Sequence, residues 1–169
     1  MRRIRTVIAG IVAAIVVMGV LPTAFAALHA TQAPAPNCTR NQLGVRSNGT
    51  EGALGTIYGA FVLTNRSAAT CRLNGYPDIQ LFGAAGRPIR TTVQTDLAPG
   101  PTNVRLAPGG SATFRTSYSD VSSGSQCPVS RVAQITAPNA VASLFIPATL
   151  GPCGGIVHVS AVRAGVHHA

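Results

Sequence analysis

The sequence predicts an all-β fold: an immunoglobulin-like antiparallel β-sandwich of eight to nine short strands, following an N-terminal signal helix. Three observations carry this. Short β-branched and aromatic runs alternate in polarity, Gly/Pro/Ser clusters separate them, and no helical periodicity appears after residue 26. At 169 residues the chain is expected to be one domain without internal repeats.

Taken in order, 1–26 reads as a signal peptide. Arg2, Arg3 and Arg5 form a basic start, Thr6–Leu21 is apolar, and Ala24-Phe25-Ala26 fits a small-x-small cleavage site. The 16-residue apolar run is short for a spanning helix, which needs about 20 residues. Residues 27–37 (ALHATQAPAPN) are an Ala/Pro-rich linker, and 38–163 the sandwich. Thr39–Ser47 is a weak first strand, with Asn48-Gly49 as a turn. Asn37, Asn48 and Asn65 each open an N-x-Ser/Thr sequon, read as incidental.

The organising stretch is Gly55–Phe82, expected to be three consecutive strands joined by two turns. Ile57–Thr64 is apolar on both faces, hence central in its sheet. Cys71–Asn74 and Asp78–Phe82 follow, with Pro77 at a strand start because it lacks an N–H. Gly83–Gly86 turns into Arg87–Thr95, an edge strand broken early by Pro88. Asn103–Ala107 leads through the Pro108-Gly109-Gly110 turn to Ser111–Ser119. There Ala112, Phe114, Thr116 and Tyr118 share one face, and Thr113, Arg115 and Ser117 the other. Asp120–Ser125 is a candidate binding loop by its position between strands. Arg131–Thr136, Val141–Ile146 and Ile156–Val162 complete the strands, and 164–169 is expected to be a loose tail.

The series TNRSAATCRLNGYPDIQLF (64–82), then LAPGGSA (106–112), then two late cysteines, resembles the domain of unknown function 4232 family. The resemblance spans about Cys38 to Val162. It implies an extracytoplasmic β-sandwich of secreted or lipid-anchored actinobacterial proteins, with no assigned activity and no catalytic motif. No lipobox cysteine follows the apolar N-terminal run, so the resemblance does not extend to a lipid anchor.

All thirteen basic residues are arginine. Three lie in the signal, and the remaining ten against Glu51, Asp78, Asp96 and Asp120 leave +6. The arginines form no run. This balance suits a solvated surface or weak attraction to an acidic cell-wall polymer, and export makes nucleic acid a poor partner. After cleavage no stable membrane span is expected.

Cys38, Cys71, Cys127 and Cys153 all follow the signal, so an exported chain would close two disulfides. Three connectivities are open. Cys38–Cys71 with Cys127–Cys153 is preferred because each bond ties a strand end to a neighbouring segment. Loops of this size stabilise by roughly 3–4 kcal/mol each on the entropy argument. A four-thiolate metal site is disfavoured, since no C-x-x-C spacing or nearby His pair occurs.

No catalytic, cofactor or metal residues are assigned. The histidines are His29, His158, His167 and His168; only His158 lies in a predicted strand, sharing a face with Ile156 and Ser160. There is no G-x-S-x-G element, and the four acidic residues are dispersed. Both methionines fall in the signal, which disfavours a copper site. Tyr76, Arg115 and His158 are the candidate binding residues, Tyr76 being read first as a packed corner. The expectation is a secreted, non-catalytic binding or structural module of the cell envelope. The alternatives are an extracytoplasmic enzyme using His158 and loop residues, or an accessory subunit of another exported protein.

Overall fold

Leu43–Ala53 (β1) and Thr56–Asn65 (β2) form a long antiparallel hairpin with Leu54-Gly55 at its tip. Both tip residues have positive φ, 50° and 78°, as a two-residue hairpin turn requires. This is a computed structural model of the chain, describing residues 33–96, 98–124 and 126–169. The expected signal peptide and the start of the linker fall outside the described residues.

Asn48-Gly49, expected to turn the chain, instead lies inside β1 as a bulge. The register shifts between Ser47 and Thr50, and Gly49 takes φ 102° to absorb the extra residue. β1 therefore begins later and runs longer than expected, after a 3-10 turn at Arg40–Gln42.

The remaining strands are Cys71–Leu73 (β3), Asp78–Phe82 (β4), Pro88–Ile89 (β5), Thr92–Thr95 (β6), Val104–Leu106 (β7) and Ser111–Ser119 (β8). Val132–Thr136 (β9), Leu144–Pro147 (β10), Ile156–Val159 (β11) and Arg163–Ala164 (β12) follow. The larger sheet runs β1-β2-β8-β11-β6, with β12 also on β8. The second runs β10-β9-β4-β5, and β3-β7 form a separate ribbon. The all-β, sandwich-like expectation holds.

The organising stretch is laid out differently from the expectation. Its three strands do not pair with one another: β2 enters the larger sheet, β3 the ribbon and β4 the second sheet. The expected edge strand Arg87–Thr95 also divides. β5 pairs antiparallel with β4, whereas β6 crosses layers and pairs parallel with β11. Gly155, with φ +77°, permits this crossing, because a Cβ there would sit 2.5 Å from the Arg90 carbonyl. Such divisions raise the strand number above eight or nine.

The core collects inward positions of all three sheets. Phe61 and Phe114 stack at 5.3 Å between centroids. They join Leu63, Val157 and Val159 from the larger sheet, Ile79, Leu81 and Ile135 from the second, and Leu73 and Leu106 from the ribbon. Burial of each such side chain contributes about 1.5–3 kcal/mol. The expected disulfides both form, Cys38–Cys71 and Cys127–Cys153, with Cα separations of 4.8 and 4.0 Å. Tyr58 and Phe145 are exposed.

Residues 164–169 are not a loose tail. Ala164 belongs to β12, and the Gly165 amide donates to the Ser111 carbonyl. Thr113 Oγ1 donates to the Gly165 carbonyl at 2.8 Å and accepts from the His167 amide at 3.0 Å. Asn48 Nδ2 donates to the His167 carbonyl, and Arg115 Nε to that of His168. The segment thus straps the outer face of β8 and β2. Beneath it lie Ala60 and Val62, the register partners of Arg115 and Thr113, buried yet outside the core cluster. This accounts for the second apolar face of β2.

At the other end, the Arg72 amide donates to the Pro36 carbonyl and Asn37 bridges to Arg72, so the last linker residues already join β3. Among the described residues no helix is long and apolar enough to cross a membrane.

Candidate functional site

Antiparallel register places Glu51, Tyr58 and Ser117 opposite one another on β1, β2 and β8. Ser117 then faces His158 on β11, and His158 faces Gln94 on β6. Directly paired residues project from the same face, so one row of side chains crosses five strands. At about 4.8 Å per strand, the row spans roughly 19 Å. One step along, Arg115 and Ser160 sit side by side: the Arg115 amide donates to Ser160 Oγ at 2.9 Å, and the Ser160 amide to the Arg115 carbonyl. Two of the three candidate binding residues, Arg115 and His158, therefore share this outer face.

Two adjoining hollows lie in succession along β8, meeting where the row crosses it. One, of about 420 Å³, is lined by Tyr58, Thr113, Arg115, Ser160, Arg163 and His167, among others. The second, about 330 Å³, is lined by Thr56, Ser117, Tyr118, Ser119 and His158. Asp96 and Ser117 border both and make them one trough.

Its two ends differ chemically. At the first, Arg115 projects into solvent. Its Nε is held by the strap and its Nη atoms have no partner among the described residues. Arg163 forms the wall, donating through Nη2 to the Pro99 and Gly100 carbonyls at 2.7 and 3.1 Å. His167 Nε2 faces the Ala164 carbonyl at 2.8 Å, which fixes Nε2 as the donor. At the second end, His158 Nδ1 approaches Asp96 Oδ1 at 3.7 Å, both side chains being more than 40 % exposed. That distance is an ion-pair approach rather than a hydrogen bond. Tyr58, 43 % exposed, lines the first hollow from β2 and flanks Ser117 on the side away from His158.

Tyr118 anchors the floor from the core side. Burial raises its phenol above the ordinary value of 10.0; a Gly151 backbone hydrogen bond opposes this and the Asp120 charge adds to it.

Tyr76 is not brought to the trough. It is half-buried between Gly75 (φ +121°) and the buried Pro77, and it lines neither hollow. Several other arginines serve local contacts: Arg40 reaches the Ser143 carbonyl, Arg72 the Asn37 side chain and Arg46 the Asn48 side chain. Among the described residues, Arg115 and Arg163 are the arginines that converge on the trough. Tyr58, Asp96, Ser117, Ser160, Arg163 and His167 were not singled out in the sequence as site residues. Alternation puts Ser117 on the Arg115 face and Ser160 on the His158 face, but nothing local marks Asp96.

The fold and trough define a class: a β-rich module stapled by two disulfides, with a polar trough on its outer face. Its family follows from comparison. The profile described as Domain of unknown function (DUF4232) matches residues 38–163, and the chain belongs to that family. No curated protein matches the chain, and no solved structure does.

The residues that carry the resemblance build scaffold rather than trough. Asn65, fully buried, donates Nδ2 to the carbonyls of Ala69, Leu106 and Ala107 and accepts from the Ser67 amide and hydroxyl at Oδ1. Its backbone pairs with Gly109 and Gly110. Arg66 lies over Gly44, where a Cβ would meet its side chain.

Proposed function

We propose that the chain is a non-catalytic binding module of the cell envelope. It is exported by its N-terminal signal, oxidised to two disulfides, and holds an acidic cell-wall polymer along the outer-face trough. One observation carries the reading: the Nη atoms of Arg115, without a partner among the described residues, open into a hollow whose neighbouring cation, Arg163, is already committed to its wall. A guanidinium held at Nε and free at Nη is pre-oriented for carboxylate or phosphate. The net positive balance supplies longer-range attraction. The test is retention on anionic wall material across a salt series. Arg115→Gln is expected to lower retention at least fivefold at low ionic strength; equal retention of both proteins would refute the assignment.

A second reading, an enzyme built on His158, draws support from the approach of Asp96 to that ring and from Ser117 as its cross-strand partner. Against it stands the exposure of the pair, since activation of a serine needs a hydrogen-bonded, oriented base. His158→Ala in a turnover assay on ester, peptide and glycoside substrates decides. Activity that disappears with the ring would establish the enzyme.

A further inference from the structure

Resting on that reading, we infer that the trough takes an anionic saccharide, a chain in which a charged group sits beside a hydroxyl-bearing ring. The two ends of the trough ask for different chemistry. Arg115 at one end offers Nη donors, without a partner among the described residues, suited to a carboxylate or phosphate. At the other end the Asp96 carboxylate converges with Ser117, Ser119 and His158. A carboxylate accepts from hydroxyls, serines both donate and accept, and an imidazole does either according to tautomer. That set matches a ring bearing several hydroxyls and is wasted on a bare polyanion.

Tyr58 flanks Ser117, which borders both hollows. It is exposed to 43 %, lines the Arg115 hollow and stands directly across from Ser117. An exposed tyrosine serves little in the core but gives a flat apolar face with a polar tip. The apolar face of a sugar ring fits on it. The room beside it comes from short side chains, Ser117 and Ser160, where longer ones would fill the groove. A polymer running along β8 would meet the cation first and then, in one cross-strand row, the ring platform and His158 on either side of Ser117.

The test uses the oxidised chain and three probes in calorimetric titration: an oligouronate, a neutral oligosaccharide of the same length, and polyphosphate. The oligouronate is expected to bind at least tenfold tighter than either other probe. Tyr58→Ala should lose about tenfold for the oligouronate and leave polyphosphate unchanged, while Tyr58→Phe, which keeps the platform, should bind as the parent does. If polyphosphate binds as tightly and Tyr58→Ala changes nothing, the saccharide inference falls while the acidic-polymer reading survives. If the neutral oligosaccharide binds equally, the anionic requirement falls. If no probe binds, both fall.

Discussion

Asn65 donates its side-chain amide to the Leu106 carbonyl at 3.0 Å across 41 positions of sequence, tying the end of β2 to the end of β7. The same nitrogen reaches Ala69 and Ala107, so one buried side chain closes two turns. Asn65→Ala would take the buried side-chain donor from the Leu106 carbonyl, whereas the Ala69 and Ala107 carbonyls keep the Ser67 hydroxyl and the Gly110 amide. The expected loss is about 3 kcal/mol, and Asn65→Asp should lose more by placing carboxylate oxygen against carbonyl oxygen. Urea midpoints of the oxidised proteins check both.

Thr116 gives a prediction of opposite sign. Its Oγ1 is buried without a hydrogen-bond partner among the described residues, opposite Gly59. Thr116→Val keeps the shape and removes the unsatisfied hydroxyl, so a gain of about 1 kcal/mol is expected. Thermal unfolding reads the shift, and a lower melting temperature would contradict it.

Tyr118 links stability to alkaline pH. Burial raises its phenol in the folded protein above the value of 10.0, so the native state keeps the proton longer than the unfolded chain. Its contribution is intact below the unfolded value and is lost as pH rises through the folded one. Denaturation profiles from pH 9 upward should therefore fall, and Tyr118→Phe should flatten that part of the fall at a cost of about 1 kcal/mol near neutrality.

The disulfides are expected to reduce in order. Cys38 and Cys71 are 1 % and 0 % exposed, whereas Cys127 is half-buried. Mild reductant should open Cys127–Cys153 first, as mass-tagged thiols would show. Removing either bond by paired Cys→Ser changes should cost roughly 3–4 kcal/mol.

Deleting 165–169 should uncover Ala60 and Val62 and release Arg115 from the strap. The expected loss is about 2 kcal/mol, with faster hydrogen exchange at Ala60 and Val62. Exchange unchanged at those two amides would mean the strap covers nothing.

Local pattern exposed some of this fold and hid the rest for identifiable reasons. Ser111–Ser119 was legible because strict alternation survives in a strand with one dry face. β2 was legible as covered on both sides, although the cover proved to be residues 165–168 rather than a second layer. Asn48-Gly49 misled because a bulge and a hairpin turn demand the same left-handed glycine. The division of Arg87–Thr95 was hidden because it depends on the missing Cβ of Gly155, more than sixty residues away. Arg115 and His158 could be placed on outward faces from period alone. That they share a face with Asp96 follows only from the parallel pairing of β6 and β11.

The strap also sets how the protein should be handled. His167 and His168 fold back over the outer face and reach Asn48 on β1. A purification handle or fluorescent fusion attached after Ala169 would emerge beside the Arg115 hollow and compete for it. Labels intended to leave recognition undisturbed belong instead at Leu54, the fully exposed hairpin tip, where a cysteine would report on the molecule from outside the trough.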